Sequence, residues 1–154
     1  MNNRTTITRR TTLTLSLVAA AAVLGACATA AGPEFSKLEA TAPDTANVYI
    51  YRKSAIYASA AAFNVSQDGK EVAKLFNASY LVLRVSPSPH KFGVDERGFT
   101  SAKFFEVNAQ AGKSYFVEYD ASKGWLLGLG LLSGSATQTE TRALEDLKGL
   151  KRAN

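Results

Sequence analysis

Apolar residues along this chain follow two different patterns. Between Leu13 and Leu24 they run almost without interruption, with Thr14 and Ser16 as the only polar positions. From residue 47 onward they alternate with polar ones in short bursts, the period of a half-buried strand. Residues 47–52, Asn-Val-Tyr-Ile-Tyr-Arg, predict a first strand, with Val48 and Ile50 on one face and Tyr49 and Tyr51 on the other. Residues 61–67 predict a second, with Phe63 and Val65 sharing a face. Asp68-Gly69 is the strongest turn signal, because a two-residue hairpin loop needs positive φ at both centres. It leads into a strand over 70–76, and Asn77-Ala78 makes the corner before a strand over 79–85. Pro87 and Pro89 then break the ladder, since proline has no N–H to donate. Strands over 90–95, 102–108 and 114–120 follow, with Phe92 and Val94 inward and Tyr115, Val117 and Tyr119 on one face. The even spacing predicts an all-β fold, a small antiparallel β-sandwich of about seven or eight strands.

Two stretches depart from the alternation. Residues 124–134 set Gly124, Gly128, Gly130 and Gly134 among leucines. Glycine disfavours a helix, and the run is too short to cross a bilayer. A packed strand is the expectation there, with an apolar patch around Trp125 facing a membrane or partner as the alternative. Residues 139–154 predict a C-terminal amphipathic helix. Thr139 stands at its N-cap, and Leu144, Leu147 and Leu150 form a stripe spaced by three. Lys148, Lys151 and Arg152 suit the negative end of its dipole.

The unbroken run near the start reads differently. Arg4, Arg9 and Arg10 precede it, and the small residues Gly25 and Ala26 follow, which completes the three parts of a secretory leader. A membrane span needs roughly 20 apolar residues, more than this run provides. Leu24-Gly25-Ala26-Cys27 resembles the lipobox of bacterial lipoproteins: an aliphatic residue, two small ones, then cysteine. The resemblance implies a signal peptide over 1–26, diacylglycerol on the Cys27 thiol, cleavage before Cys27 and acylation of the new amine. One acyl chain holds a protein only marginally, at roughly 0.8 kcal/mol per buried methylene, whereas two or three hold it stably. Ala28 rather than Asp follows Cys27. In lipoproteins of two-membrane cells that favours the outer membrane, facing the periplasm. Residues 8–13 also look somewhat like a twin-arginine signal, but Thr12 stands where a large apolar residue is usual, so the ordinary secretory route is expected.

Composition refines this picture. The leader's three arginines account for three of the formal +5 charges, leaving +2 for the remaining 128 residues. Basicity is then a poor argument for nucleic acid, and none is expected as a partner. Cys27 is the only cysteine. With lipid on it, no thiol is left for a disulfide, a thiolate metal site or a cysteine nucleophile. Residues 27–46 are small, proline-bearing and without period, which predicts a lipidated N-terminus and flexible tether, reaching roughly 60 Å if extended. Phe35 and Leu38 docking on the domain is the alternative. The β domain then occupies 47–138.

Candidate chemistry is sparse. No phosphate loop, dinucleotide pattern or zinc spacing is present, and no cofactor or metal is implied. His90, the only histidine, stands at a strand start with no nucleophile-elbow motif nearby, and a structural or surface place is expected for it. Glu106, Glu118 and Asp120 alternate with apolar residues as on a solvated face; converging in a cleft, they would suit hydrolysis. Tyr49, Tyr51, Tyr80, Tyr115 and Tyr119 make a tyrosine-rich sheet, and an exposed cluster of them is the candidate binding face.

Several of these elements recur together in one family. Val48-Tyr49-Ile50-Tyr51-Arg52, the Asp68-Gly69-Lys70 hairpin with Leu75, the Asn77-Ala78-Ser79-Tyr80 corner, the Pro87 to His90 element and the Ala111-Gly112-Lys113-Ser114-Tyr115-Phe116-Val117 run resemble the bacterial domain of unknown function 2846. Ser88-Pro89 departs from the Pro-Gly pair commoner there. The resemblance implies a small, lipoprotein-associated β domain and no activity. The expectation is a non-enzymatic, lipid-anchored envelope module that binds an envelope protein or peptidoglycan. A carboxylate-dependent hydrolase and a purely structural envelope protein are the alternatives.

Overall fold

The alternation that begins at residue 47 becomes two stacked sheets. The computed structural model describes residues 29–56, 58–95, 103–120 and 135–153. The expected leader, the lipobox residues Leu24 to Cys27, the turn at 96–98 and the glycine-leucine run at 124–134 lie outside the described residues. β1 (Ala46–Arg52), β2 (Phe63–Gln67), β3 (Lys70–Leu75), β4 (Ser79–Val85), β5 (Pro89–Asp95), β6 (Lys103–Asn108), β7 (Ser114–Tyr119), β8 (Ser135–Thr137) and β9 (Lys151–Arg152) are joined by one helix, α1 (Glu140–Leu147). One sheet has the order β8-β7-β1-β4-β9 and the other β3-β2-β5-β6.

This is the all-β sandwich expected, with one refinement. The β3-β2-β5-β6 sheet is antiparallel throughout. The other is mixed, because β1 pairs antiparallel with β4 but parallel with β7. A parallel neighbour cannot follow through a tight hairpin, and here the whole second sheet, together with β4, lies between β1 and β7 in sequence. The Asp68-Gly69 turn takes positive φ at both centres, 51° and 83°. A register shift beside it leaves Val72 without a partner on β2, which accounts for its exposure.

The inward faces fill the space between the sheets. Val48, Ile50, Leu81 and Val117 from one sheet meet Phe63, Val65, Phe92 and Val94 from the other, with Tyr119 beside Phe63. Each such side chain contributes roughly 1.5–3 kcal/mol on burial. On the outward face of the first sheet, Tyr49, Tyr51, Tyr80 and Phe116 form a second apolar surface, so that sheet needs a cover as well. α1 supplies part of it through Ala143 and Leu147, with Leu150 just beyond. Every residue of β1 is consequently buried.

α1 is shorter than the predicted helix over 139–154. Thr139 caps it, its Oγ1 accepting from the Arg142 N–H at 3.4 Å. It ends at Leu147, and Gly149 reverses the chain with φ +77°, a conformation that a side chain resists. Lys151 and Arg152 then pair with the free side of β4 instead of continuing the helix. Open ladder groups on that edge decide the matter, since β4 offers them hydrogen bonds.

The segment read as a tether is also different in the structure. Residues 29–34 run beside β9, with Ala30 buried in the core between the sheets, and the segment then crosses the outward face of the first sheet. The Gly32 N–H donates to Arg152 O at 3.0 Å, Arg152 N–H to Pro33 O at 2.9 Å and Phe35 N–H to Leu150 O at 2.9 Å. Phe35 stands edge-on to Tyr80 at 5.6 Å, and Leu38 packs on the same cluster. The Arg152 guanidinium pairs with Glu39. The docking of Phe35 and Leu38, the alternative on sequence grounds, is what the geometry has. It completes the cover that α1 begins, and the apolar area beneath is reason enough for a proline-bearing segment to lie down.

Candidate functional site

Three polar constellations stand out among the described residues. The first is built by β1, β7 and α1. Lys53, just past β1, places Nζ 2.6 Å from Glu118 Oε1 and 3.6 Å from Asp146 Oδ1. Asp146 also accepts from the Tyr51 hydroxyl at 3.1 Å and from Arg142 Nε at 3.2 Å. Gln138 Nε2 donates to the other Glu118 oxygen at 3.3 Å. The hydrogen bond to Glu118 raises the Lys53 pKa, and burial, helped by the Asp146 charge, pushes the Tyr51 phenol up strongly. Each carboxylate is thus engaged by a cation and a neutral donor, an arrangement that ties α1 to the sheet.

Beside this network is a cavity of about 160 Å³ lined by residues 52–55 and 118–120. Glu118 and Asp120, two of the three carboxylates singled out by sequence, border it. Glu106 does not join them. It lies on β6 in the other sheet, paired across the ladder with Lys91.

The second constellation surrounds His90 and was not visible in the sequence. The β2–β3 turn brings Asp68 to the start of β5. His90 Nδ1 lies 2.7 Å from Asp68 Oδ2, and Nε2 lies 3.0 Å from Ser88 Oγ, 3.3 Å from Ser86 Oγ and 3.0 Å from the Ser86 carbonyl oxygen. An Asp–His–Ser row invites comparison with a hydrolytic triad. Proton accounting points elsewhere. A carboxylate and a carbonyl oxygen are acceptors only, and these two partners favour the protonated ring, which donates from both nitrogens. In that form Nε2 is no base for Ser88. The Asp68 partnership raises the His90 pKa, and the same bond lowers that of Asp68, helped by the Lys91 N–H, which donates to Asp68 Oδ1 at 2.9 Å. The cluster pins the hairpin turn to β5. The turn and the histidine are 22 positions apart, and only the strand register reveals that they meet.

The third lies in the loop between β1 and β2. The Arg52 guanidinium is buried and reaches back into this loop, donating to Ala61 O at 3.0 Å and Ala58 O at 2.7 Å, with Phe63 beneath it at 4.7 Å. The Ala55 N–H donates to Asn77 Oδ1 at 3.0 Å. The loop is held on both sides of Ile56, whose side chain is 98% exposed. Asn77 also carries a β-bridge to Thr29, the first described residue of the docked N-terminal segment.

The five tyrosines of the candidate binding face do not form one exposed surface. Tyr49, Tyr51 and Tyr80 are buried beneath α1 and residues 29–45. Tyr119 points into the core between the sheets, and Tyr115 packs at its margin, donating to Asn108 O at 3.1 Å. Burial also raises the Tyr49 and Tyr80 pKa values. Covering the outward face removes that surface from solvent. Cys27, Leu24, Gly25 and Ala26 lie outside the described residues. Among the described residues, no group of three or more histidine, cysteine and acidic side chains is arranged to hold a metal, and no helix is long and apolar enough to cross a membrane.

A family model described as "Protein of unknown function (DUF2846)" matches residues 42–129, more than half of the 154-residue chain. No curated protein matches.

Proposed function

For this chain, which belongs to the DUF2846 family of proteins of unknown function, we propose the role of a lipid-anchored cell-envelope protein whose β-sandwich is a non-enzymatic binding or accessory module. The observation that carries the reading is Leu24-Gly25-Ala26-Cys27 at the end of a basic and then apolar leader. Lipid on Cys27 is the membrane contact, and Ala28 after it favours the outer membrane, periplasmic side. A holding role is supported by the commitment of the polar groups to each other. His90 is engaged by Asp68 and Ser86, and Glu118 is paired with Lys53. With the tyrosines covered, the binding surface for an envelope protein or peptidoglycan moves to the second sheet. There β3 is an edge strand, and Phe104 is exposed on β6 with Lys91 Nζ 4.6 Å above its ring.

A Cys27→Ser variant tests the anchor. Wild type is expected to incorporate labelled palmitate and sediment with the envelope, and the variant to do neither. Label and sedimentation retained in the variant would falsify the reading. A second reading, a carboxylate-dependent hydrolase, draws on Glu118 and Asp120 bordering one cavity. It requires Glu118 to leave Lys53, and it predicts that Glu118→Gln abolishes turnover of an envelope substrate with the fold intact.

A further inference from the structure

Asn77 is where two otherwise unrelated parts of the chain meet. Its backbone bridges to Thr29, and its side-chain carbonyl holds Ala55. Only Ala28 separates Thr29 from Cys27. Two residues span at most about 7 Å, so a domain anchored through Cys27 cannot stand off from the lipid. Thr29 must lie within that distance of the anchored residue, and Asn77 one strand spacing, about 5 Å, beyond it. Ile56 is the next residue along from Ala55, 98% exposed, on a loop fixed at Ala55 by Asn77 and at Ala58 and Ala61 by Arg52. A large aliphatic side chain displayed beside a residue held in this way is available for an apolar contact.

We infer that Ile56, in the β1–β2 loop, is the contact by which the domain lies on the bilayer, seated at the acyl boundary near the lipids of Cys27. This rests on the lipid-anchor reading above. The acyl chains supply the retention, and Ile56 supplies the orientation. With that corner down, the parts of the second sheet farthest from Asn77 are turned away from the membrane toward their partners.

The test uses the full, lipidated protein purified and reconstituted in vesicles of neutral phospholipid. An Ile56→Cys variant and a Val72→Cys control each carry one polarity-sensitive fluorophore, since the Cys27 sulfur is alkylated. Both substitutions are at exposed positions, so folding is retained. Palmitate incorporation is measured on the same samples. The expected result is lipid label in both, with quenchers on the acyl chains dimming the probe at position 56 about two-fold or more. At position 72 the probe stays unchanged, and raising the salt has no effect. Label present with equal quenching, or none, at both positions overturns the docking surface and leaves the anchor standing. Absence of label overturns the anchor and the docking surface with it.

Discussion

His90 contacts Asp68 from one side of its ring and the Ser86 carbonyl from the other, and when protonated it is a charged clasp on the hairpin turn. Its pKa is raised above the ordinary 6.5 by Asp68. The stability it contributes is therefore fully present below 6.5 and is lost as pH rises through the raised value. Asp68 is lowered from the ordinary 3.8 by the same bond, so its contribution is present above 3.8 and is lost as pH falls through the lowered value. The two shifts describe one interaction. The clasp is at full strength between 3.8 and 6.5 and weakens on either side. His90 is the only histidine, so a transition near neutrality has a single owner. Thermal denaturation of wild type is expected to show a falling Tm as pH rises from about 6 to about 9, and His90→Gln to flatten that slope. An unchanged slope in the variant would assign the transition elsewhere. None of this was legible in the sequence, because Asp68 was read for its backbone and His90 for its neighbours in the chain. The outward tyrosines teach the same point. Alternation correctly placed Tyr49 and Tyr51 opposite Val48 and Ile50, but alternation cannot say whether an outward face meets water or a helix.

At the level of elements, β1 to β7 were readable because each carries its own evidence, β-branched and aromatic residues at period two bounded by turn chemistry, whereas the short β8 and β9 were not. The Asp68-Gly69 hairpin was readable for the same reason. The length of α1 and the lie of residues 29–45 were not, because both are decided by distant partners. Gly149 ends the helix, but what holds Lys151 and Arg152 extended is the open edge of β4. Small and proline-rich residues look like a tether until an apolar sheet face is available to lie on. Leu147 is the deepest contact between α1 and that face, fully buried among Tyr51 and its neighbours. Replacing it by alanine is expected to cost about 2–5 kcal/mol in chemical denaturation, the range for a buried leucine. Retained stability within about 1 kcal/mol would mean that residues 29–45 cover the sheet without the helix.

For the whole molecule, the matched family span of 42–129 contains β1 to β7 but neither α1 nor residues 29–41, so much of the cover over the first sheet lies outside it. That cover is anchored where Gly32 passes Arg152 so closely that a Cβ would lie 2.5 Å from the Arg152 carbonyl oxygen. Gly32→Val is expected to lift residues 29–45. In the purified protein, trypsin should then cut after Lys37 faster than in wild type, as read by mass spectrometry of timed digests. Equal rates would count against a docked segment. The same closure sets an order of events in folding. Glu39 and Arg152, paired across 113 positions, can meet only after nearly all of the described chain has been made or delivered. A chain in which that pair has yet to form leaves part of the face of Tyr49, Tyr51, Tyr80 and Phe116 uncovered. Long-range closure of this kind is slow, and an uncovered apolar sheet face is prone to self-association while it waits. The risk of aggregation is therefore concentrated in the last step of folding, and a chaperone acting on this protein has its binding surface defined by the face that the finished molecule hides.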